Sequence, residues 1–138
     1  MKTWEQARQL IYGHFINGWA NHLPYFIEGH EEPDLAVQTA PFVLLRVNPT
    51  RVTQLAMAGM NPPKRGFGEV EITVFTPFTV GAKTRMDAVD RLSGLFAATG
   101  VGEIVFRDVA VLSLVEGKNW RSQVVVASFY FELSLTGV

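Results

Sequence analysis

Glu69-Val70-Glu71-Ile72-Thr73-Val74-Phe75 alternates apolar and polar side chains without a break. Val70, Ile72 and Val74 share one face and Glu69, Glu71 and Thr73 the other, the period-two pattern of a half-buried strand. Just upstream, Asn61-Pro62-Pro63-Lys64-Arg65-Gly66 collects residues that fit neither a sheet nor a helix, so 59–68 is expected to be a mobile loop. Downstream, Thr76-Pro77-Phe78 ends the strand and a helix starts near Gly81. Its expected buried stripe is Met86, Val89, Leu92 and Phe96, widened by Ala88 and Leu95. Asp87 and Arg91 have the spacing of a favourable helical ion pair, and Gly100 is a plausible stop.

Phe42-Val43-Leu44-Leu45-Arg46-Val47 is nearly continuous in apolar residues, as in a strand covered on both faces. Asn48-Pro49-Thr50 is a turn signal, and 51–58 reads as a second strand closing a hairpin. Nearer the N-terminus, 3–19 is expected to be helical. Thr3 and Gln6 have the capping-box spacing, and Leu10, Ile11, His14, Phe15 and Trp19 make one apolar face. Leu23-Pro24-Tyr25-Phe26-Ile27 looks extended, and 28–40 is a polar loop. At the other end, 104–115 and 120–133 are strands around the turn Glu116-Gly117-Lys118-Asn119. The last strand is apolar on both faces and belongs in the middle of a sheet. The expectation is a single domain over 1–138 of class α+β. It has a mostly antiparallel sheet, two helices packed on one face, and the order α-β-β-β-α-β-β.

Composition is consistent with this and narrows the chemistry. The 138 residues suit one core, and 48% hydrophobic with 18% charged residues is too apolar for a disordered chain. The absence of Cys excludes thiol nucleophiles, zinc fingers and disulfide scaffolds. A net charge of −1 argues against bulk electrostatic binding of nucleic acid. That charge divides unevenly: −3 over 1–40, +3 over 41–70 and −1 over 71–138. The N-terminus is too polar for a signal peptide, and no apolar run approaches the roughly 20 residues of a membrane span. The expected setting is the interior of a cell.

Catalytic patterns are missing. His14, His22 and His30 are spaced eight residues apart across Pro24 and a loop, unlike the close pairs that bind metals. No serine sits in a G-x-S-x-G elbow. Gly66-Phe67-Gly68 precedes a strand, where a phosphate-binding loop would open a helix. The carboxylate pairs Glu69/Glu71 and Glu31/Glu32 fit a solvent-facing strand and a loop. Lys64 and Arg65, with Arg46, Arg51 and the nearby Phe67, form a basic stretch that suits nucleic acid, but no recognised RNA or DNA module accompanies it, and the alternative is a basic loop that solvates itself or docks on a protein neighbour.

Arg65-Gly66-Phe67-Gly68-Glu69-Val70-Glu71-Ile72-Thr73-Val74-Phe75-Thr76-Pro77 is followed by a glycine loop and a helix ending in Leu95-Phe96. An N-terminal helix, a Pro-Tyr-Phe segment and a final hairpin with Trp120 surround it. In this order the chain resembles the tail-terminator, or tail-completion, proteins of long-tailed bacteriophages and prophages (the minor tail protein U-like family). The resemblance spans nearly the whole chain and implies a structural protein, not an enzyme, with no cofactor and no metal. It implies a ring, usually of six copies, that caps the tail tube, stops its polymerisation and offers a surface for the head. The implied partners are the tail-tube protein and the head–tail connector proteins, with neither nucleic-acid specificity nor a membrane. The implied location is the virion tail, assembled in the bacterial host cytoplasm. Asn61, Lys64, Arg65 and Phe67 are the candidate contact loop, and Glu31, Glu32 and Asp34 the candidate acidic contact. The rival readings are another head–tail joining or neck protein, or a small ligand-binding or enzymatic α+β domain.

Overall fold

A computed structural model describes residues 2–29, 38–54, 64–97 and 99–133. Helix α1 spans Trp4–Trp19, and Thr3 and Gln6 form the expected capping box. The Thr3 hydroxyl accepts from the Gln6 N–H at 3.2 Å, and the Gln6 carboxamide accepts from the Thr3 N–H at 3.0 Å. Strand β1 (Tyr25–Ile27) precedes β2 (Phe42–Gln54) and β3 (Lys64–Pro77). Helix α2 (Ala82–Phe96) follows, then β4 (Gly100–Val101), β5 (Ile104–Val111), β6 (Val115–Glu116) and β7 (Trp120–Leu133). The strands make one sheet in the order β1-β2-β3-β7-β5-β4, with β6 also paired to β7. This is the expected α+β fold, and β7 is central as its sequence predicts.

The period-two pattern of β3 determines the packing. Val70, Ile72 and Val74 join Val43, Leu45 and Val47 of β2 and Val125, Ala127, Phe129 and Phe131 of β7 in one core. Both helices close over that face, contributing Ile11, Phe15, Trp19, Ala88, Leu92 and Phe96, all fully buried. Each such side chain contributes roughly 1.5–3 kcal/mol of burial. Edge-to-face aromatic contacts, such as Trp4 on Phe131 at 5.0 Å, add directional fit. The helix-free face carries a smaller aromatic cluster of Phe26, Phe42, Phe75 and Trp120. Phe42 and Phe75 stack at 4.8 Å within it.

Several elements differ from the sequence reading. In place of the expected hairpin of 42–47 and 51–58, residues 42–54 form one continuous strand, β2, with Asn48-Pro49-Thr50 inside it. β1 covers only Val43 to Leu45, so Pro49 lies where, among the described residues, β2 has no partner on its outer side, and the register shifts between Pro49 and Arg51. A proline is tolerated at such an edge because no ladder donor is lost. The first strand group is completed by β1, which runs parallel to β2 and not antiparallel. Of the expected loop 59–68, Lys64 to Gly68 belong to β3; residues 55–63 lie outside the described residues.

Met86 is 47% exposed, and Arg85 takes the buried position beside Ala88 and Val89. Asp87 pairs with Lys83 at 2.7 Å, one turn before, and not with Arg91. Helix α2 ends at Phe96 with Ala97 as its cap, and Gly100 opens β4. The expected strand 104–115 breaks after Val111 and resumes as β6.

Candidate functional site: an arginine–aromatic sheet face

Because side chains alternate along β3, Arg65 and Phe67 project to the helix-free face, whereas Lys64 belongs to the other. Their cross-strand neighbours on β7 are Glu132 and Tyr130. Gly66 and Gly68 occupy the intervening core positions, and the Phe131 and Phe129 rings lie across them. The alternation of glycine with Arg65 and Phe67, which reads as a loop, therefore builds a strand with aromatic rings covering the glycines.

A bulge in β2 and the alternation of β5 bring further arginines to this face. In β2 the shift after Pro49 sets Arg51 opposite Phe67; without it Arg51 would turn toward the core face. In β5 Val105 stands opposite Tyr130 and Phe106 enters the core, so alternation returns Arg107 to the helix-free face beside Tyr130, and the register shift follows before Val109. The Arg51 guanidinium sits 4.3 Å from the Phe67 ring centre, and Arg65 sits 4.5 Å from that of Tyr130. Arg107 approaches Tyr130 at 6.0 Å, and the two rings are themselves 6.0 Å apart. Each stack contributes about 0.5–1 kcal/mol and holds a planar donor fork in a fixed place.

Among the described residues no carboxylate reaches salt-bridge distance of Arg51, Arg65 or Arg107. By contrast Arg46, further along β2, is paired with Glu28 at 3.5 Å. A shallow depression of about 210 Å³ lies between Thr50, Arg51, Phe67, Glu69, Arg107 and Ser128. It falls below the about 300 Å³ at which small-molecule pockets begin. The face presents three guanidinium groups against two aromatic rings, with Glu132 opposite Arg65 and Glu69 at the depression.

The structure thus brings together two of the predicted contact residues, Arg65 and Phe67, and separates Lys64 from them. Asn61, Glu31, Glu32 and Asp34 lie outside the described residues. Arg107 and Tyr130 escaped the sequence reading because only the β5–β7 and β3–β7 registers place them beside Arg65. Arg51 was visible there as one of the basic residues of 41–70.

A second concavity, about 490 Å³ and open, lies where α1 meets the end of α2 and includes His14, Gly18, Leu95 and Val101. Its histidine is already engaged. His14 Nε2 lies 2.9 Å from the Leu95 carbonyl oxygen, so that nitrogen carries the proton, and the ring stacks on Phe106 at 5.5 Å. Among the described residues no three His, Asp or Glu side chains converge as metal ligands. No helix among them is long and apolar enough to cross a membrane.

No family model matches the chain, and no curated protein matches it. Among solved structures, a protein whose name carries no functional description superposes with a TM-score of 0.61 at 17% identity, over 92% of this chain and 96% of its own. At that identity the likeness establishes a shared fold and nothing about activity.

Proposed function

We propose that this chain is a structural protein of a phage or prophage tail, a terminator that caps the tail tube and stops its growth. The observation that carries the reading is the helix-free face, where Arg51, Arg65 and Arg107, reached by no carboxylate among the described residues, lie against two aromatic rings over a depression too small for an ordinary ligand. Such a surface is built for docking on another macromolecule, and stacked guanidiniums lose little freedom when they dock. The order of motifs around Arg65 to Pro77, which resembles the tail-terminator proteins, supplies the kind of partner. In this reading Arg51, Arg65 and Arg107 bind acceptors on the tube end, and copies of the chain close a ring there. A ring built from heterologous contacts leaves no open edge when its rotation closes.

The test adds the protein to polymerising tail-tube subunits and measures tube length by electron microscopy. Shortened tubes with a density at one end are expected. The double variant Arg51→Glu/Arg65→Glu, folded by circular dichroism, is expected to lose at least tenfold in capping activity. Tubes of unchanged length, with no end-bound ring at any protein concentration, rule the reading out.

A further inference from the structure

Helix α2 begins without the groups that close a helix N-terminus. Its cap is Gly81, which offers no side-chain acceptor, and its first turn holds no acidic residue. The N–H groups of Ala82, Lys83 and Thr84 therefore have neither an intrahelical acceptor nor a side-chain cap. Helix α1 differs at both points, with its Thr3–Gln6 box and Glu5 in the first turn. Neither backbone nor packing requires glycine at 81. Its φ is −72°, which any residue adopts, and a Cβ there would meet nothing within 4 Å. Gly81, Ala82 and Lys83 are exposed, so the space in front of the three donors is open to solvent.

A second feature of the same helix points into that space. Arg85 is only 9% exposed, and among the described residues neither a hydrogen bond nor an ion pair engages it. Of its three nitrogens Nε alone is both enclosed and unpartnered, so the terminal pair reaches the surface. Burying a guanidinium without acceptors is costly, and an alkyl side chain would fill the same position without that cost. In a helix a long side chain leans back over the turn that precedes its own Cα, which for Arg85 is the turn at Gly81 and Ala82. The guanidinium and the three N–H groups thus converge on one end of α2. The surroundings are positive on balance. The Phe78 N–H donates to the Asn119 carbonyl at 3.2 Å and brings the β6–β7 turn, with Lys118 and Arg121, beside the entry to α2. Arg121 pairs with Glu116 at 3.1 Å and Lys83 with Asp87 at 2.7 Å, which leaves Lys118 and Arg85 with no carboxylate among the described residues.

We infer that the N-terminus of α2 is an oxyanion site, in which the Ala82, Lys83 and Thr84 N–H groups and the Arg85 guanidinium donate to the oxygens of one phosphate or carboxylate group. Free N–H groups at a helix start and an unengaged guanidinium are the two kinds of donor that oxyanions select. The missing cap and the buried arginine then have one explanation, because a bound anion supplies the acceptors that the chain withholds from both. The site lies at the opposite end of β3 from Arg65, beyond Pro77. The inference does not rest on the tail reading, and failure of either leaves the other standing.

The probe is inorganic phosphate, titrated at constant ionic strength while the backbone amide and arginine Nε–H signals are followed by nitrogen-15 NMR. Acetate forms the carboxylate arm and chloride the control. Saturable shifts at Ala82, Lys83, Thr84 and the Arg85 Nε–H are expected, with a Kd of about 1–10 mM and none with chloride. The oxyanion that saturates at the lower concentration identifies the source, phosphate or carboxylate. Arg85→Gln should weaken binding at least tenfold. Gly81→Asp places a carboxylate over the same N–H groups, so it should raise the thermal midpoint and abolish the response. That variant is at an exposed position and keeps the test decisive if Arg85→Gln fails to fold. Shifts that do not saturate by about 100 mM in either oxyanion overturn the proposal. So do equal shifts with chloride, or wild-type binding by Gly81→Asp.

Discussion

A Cβ atom on Gly68 would stand 2.5 Å from the Phe129 ring and 2.9 Å from the Asn48 carbonyl oxygen. The ring is clamped beneath Trp4 and beside Phe131, and the oxygen is backbone, so neither neighbour yields cheaply. Gly68→Ala is expected to cost about 1–3 kcal/mol, the range for overpacking a filled core. Urea unfolding gives the value, and a change within about 0.5 kcal/mol of zero defeats the packing argument. At this scale the sequence misleads for a definite reason. Glycine signals a turn when read locally, whereas the need for glycine here comes from rings on a strand more than 60 positions later. Arg65 and Phe67 were legible as contact residues because charge and aromaticity are local properties. Their partners Arg107 and Tyr130 were not, since adjacency across strands is set by register.

Elements were legible where their signals are local. The Thr3–Gln6 capping box starts α1 where its spacing predicts, and Thr3→Ala should lower stability by about 1 kcal/mol. Thermal unfolding shows this as a lower midpoint, and an unchanged midpoint means the cap carries no weight. The alternation of β3 and the two-sided apolar character of β7 likewise decided their positions correctly. Pro49 defeated the reading of β2, because a proline interrupts a strand only where its missing N–H was needed, and whether that side is an edge depends on how far β1 reaches. The buried stripe of α2 was misplaced at one position, Arg85 standing in for Met86. The arginine is 91% buried through its whole residue surface, with its Nε unpartnered. Its apolar stem fills the position a methionine suggests, which hydropathy alone does not reveal.

For the whole molecule, fold class followed from the sequence because both helices and the one-sided sheet are encoded in period. Where the sheet is left open among the described residues did not, because an edge is defined by what fails to pair with it. The strand pair at the centre has a further effect on how the chain reaches this structure. β3 and β7 are paired along fourteen residues, from Lys64 with Leu133 to Pro77 with Trp120, so the contacts span 43 to 69 positions of sequence. Closing such long loops before any reward arrives makes folding slow, on the order of milliseconds to seconds. Stopped-flow fluorescence of the buried Trp19 should report it, and complete recovery within the dead time contradicts it. During synthesis β7 emerges after every element it joins. Until then β3 stands with an empty side, and the ribosome carries a nascent chain that cannot yet complete its core.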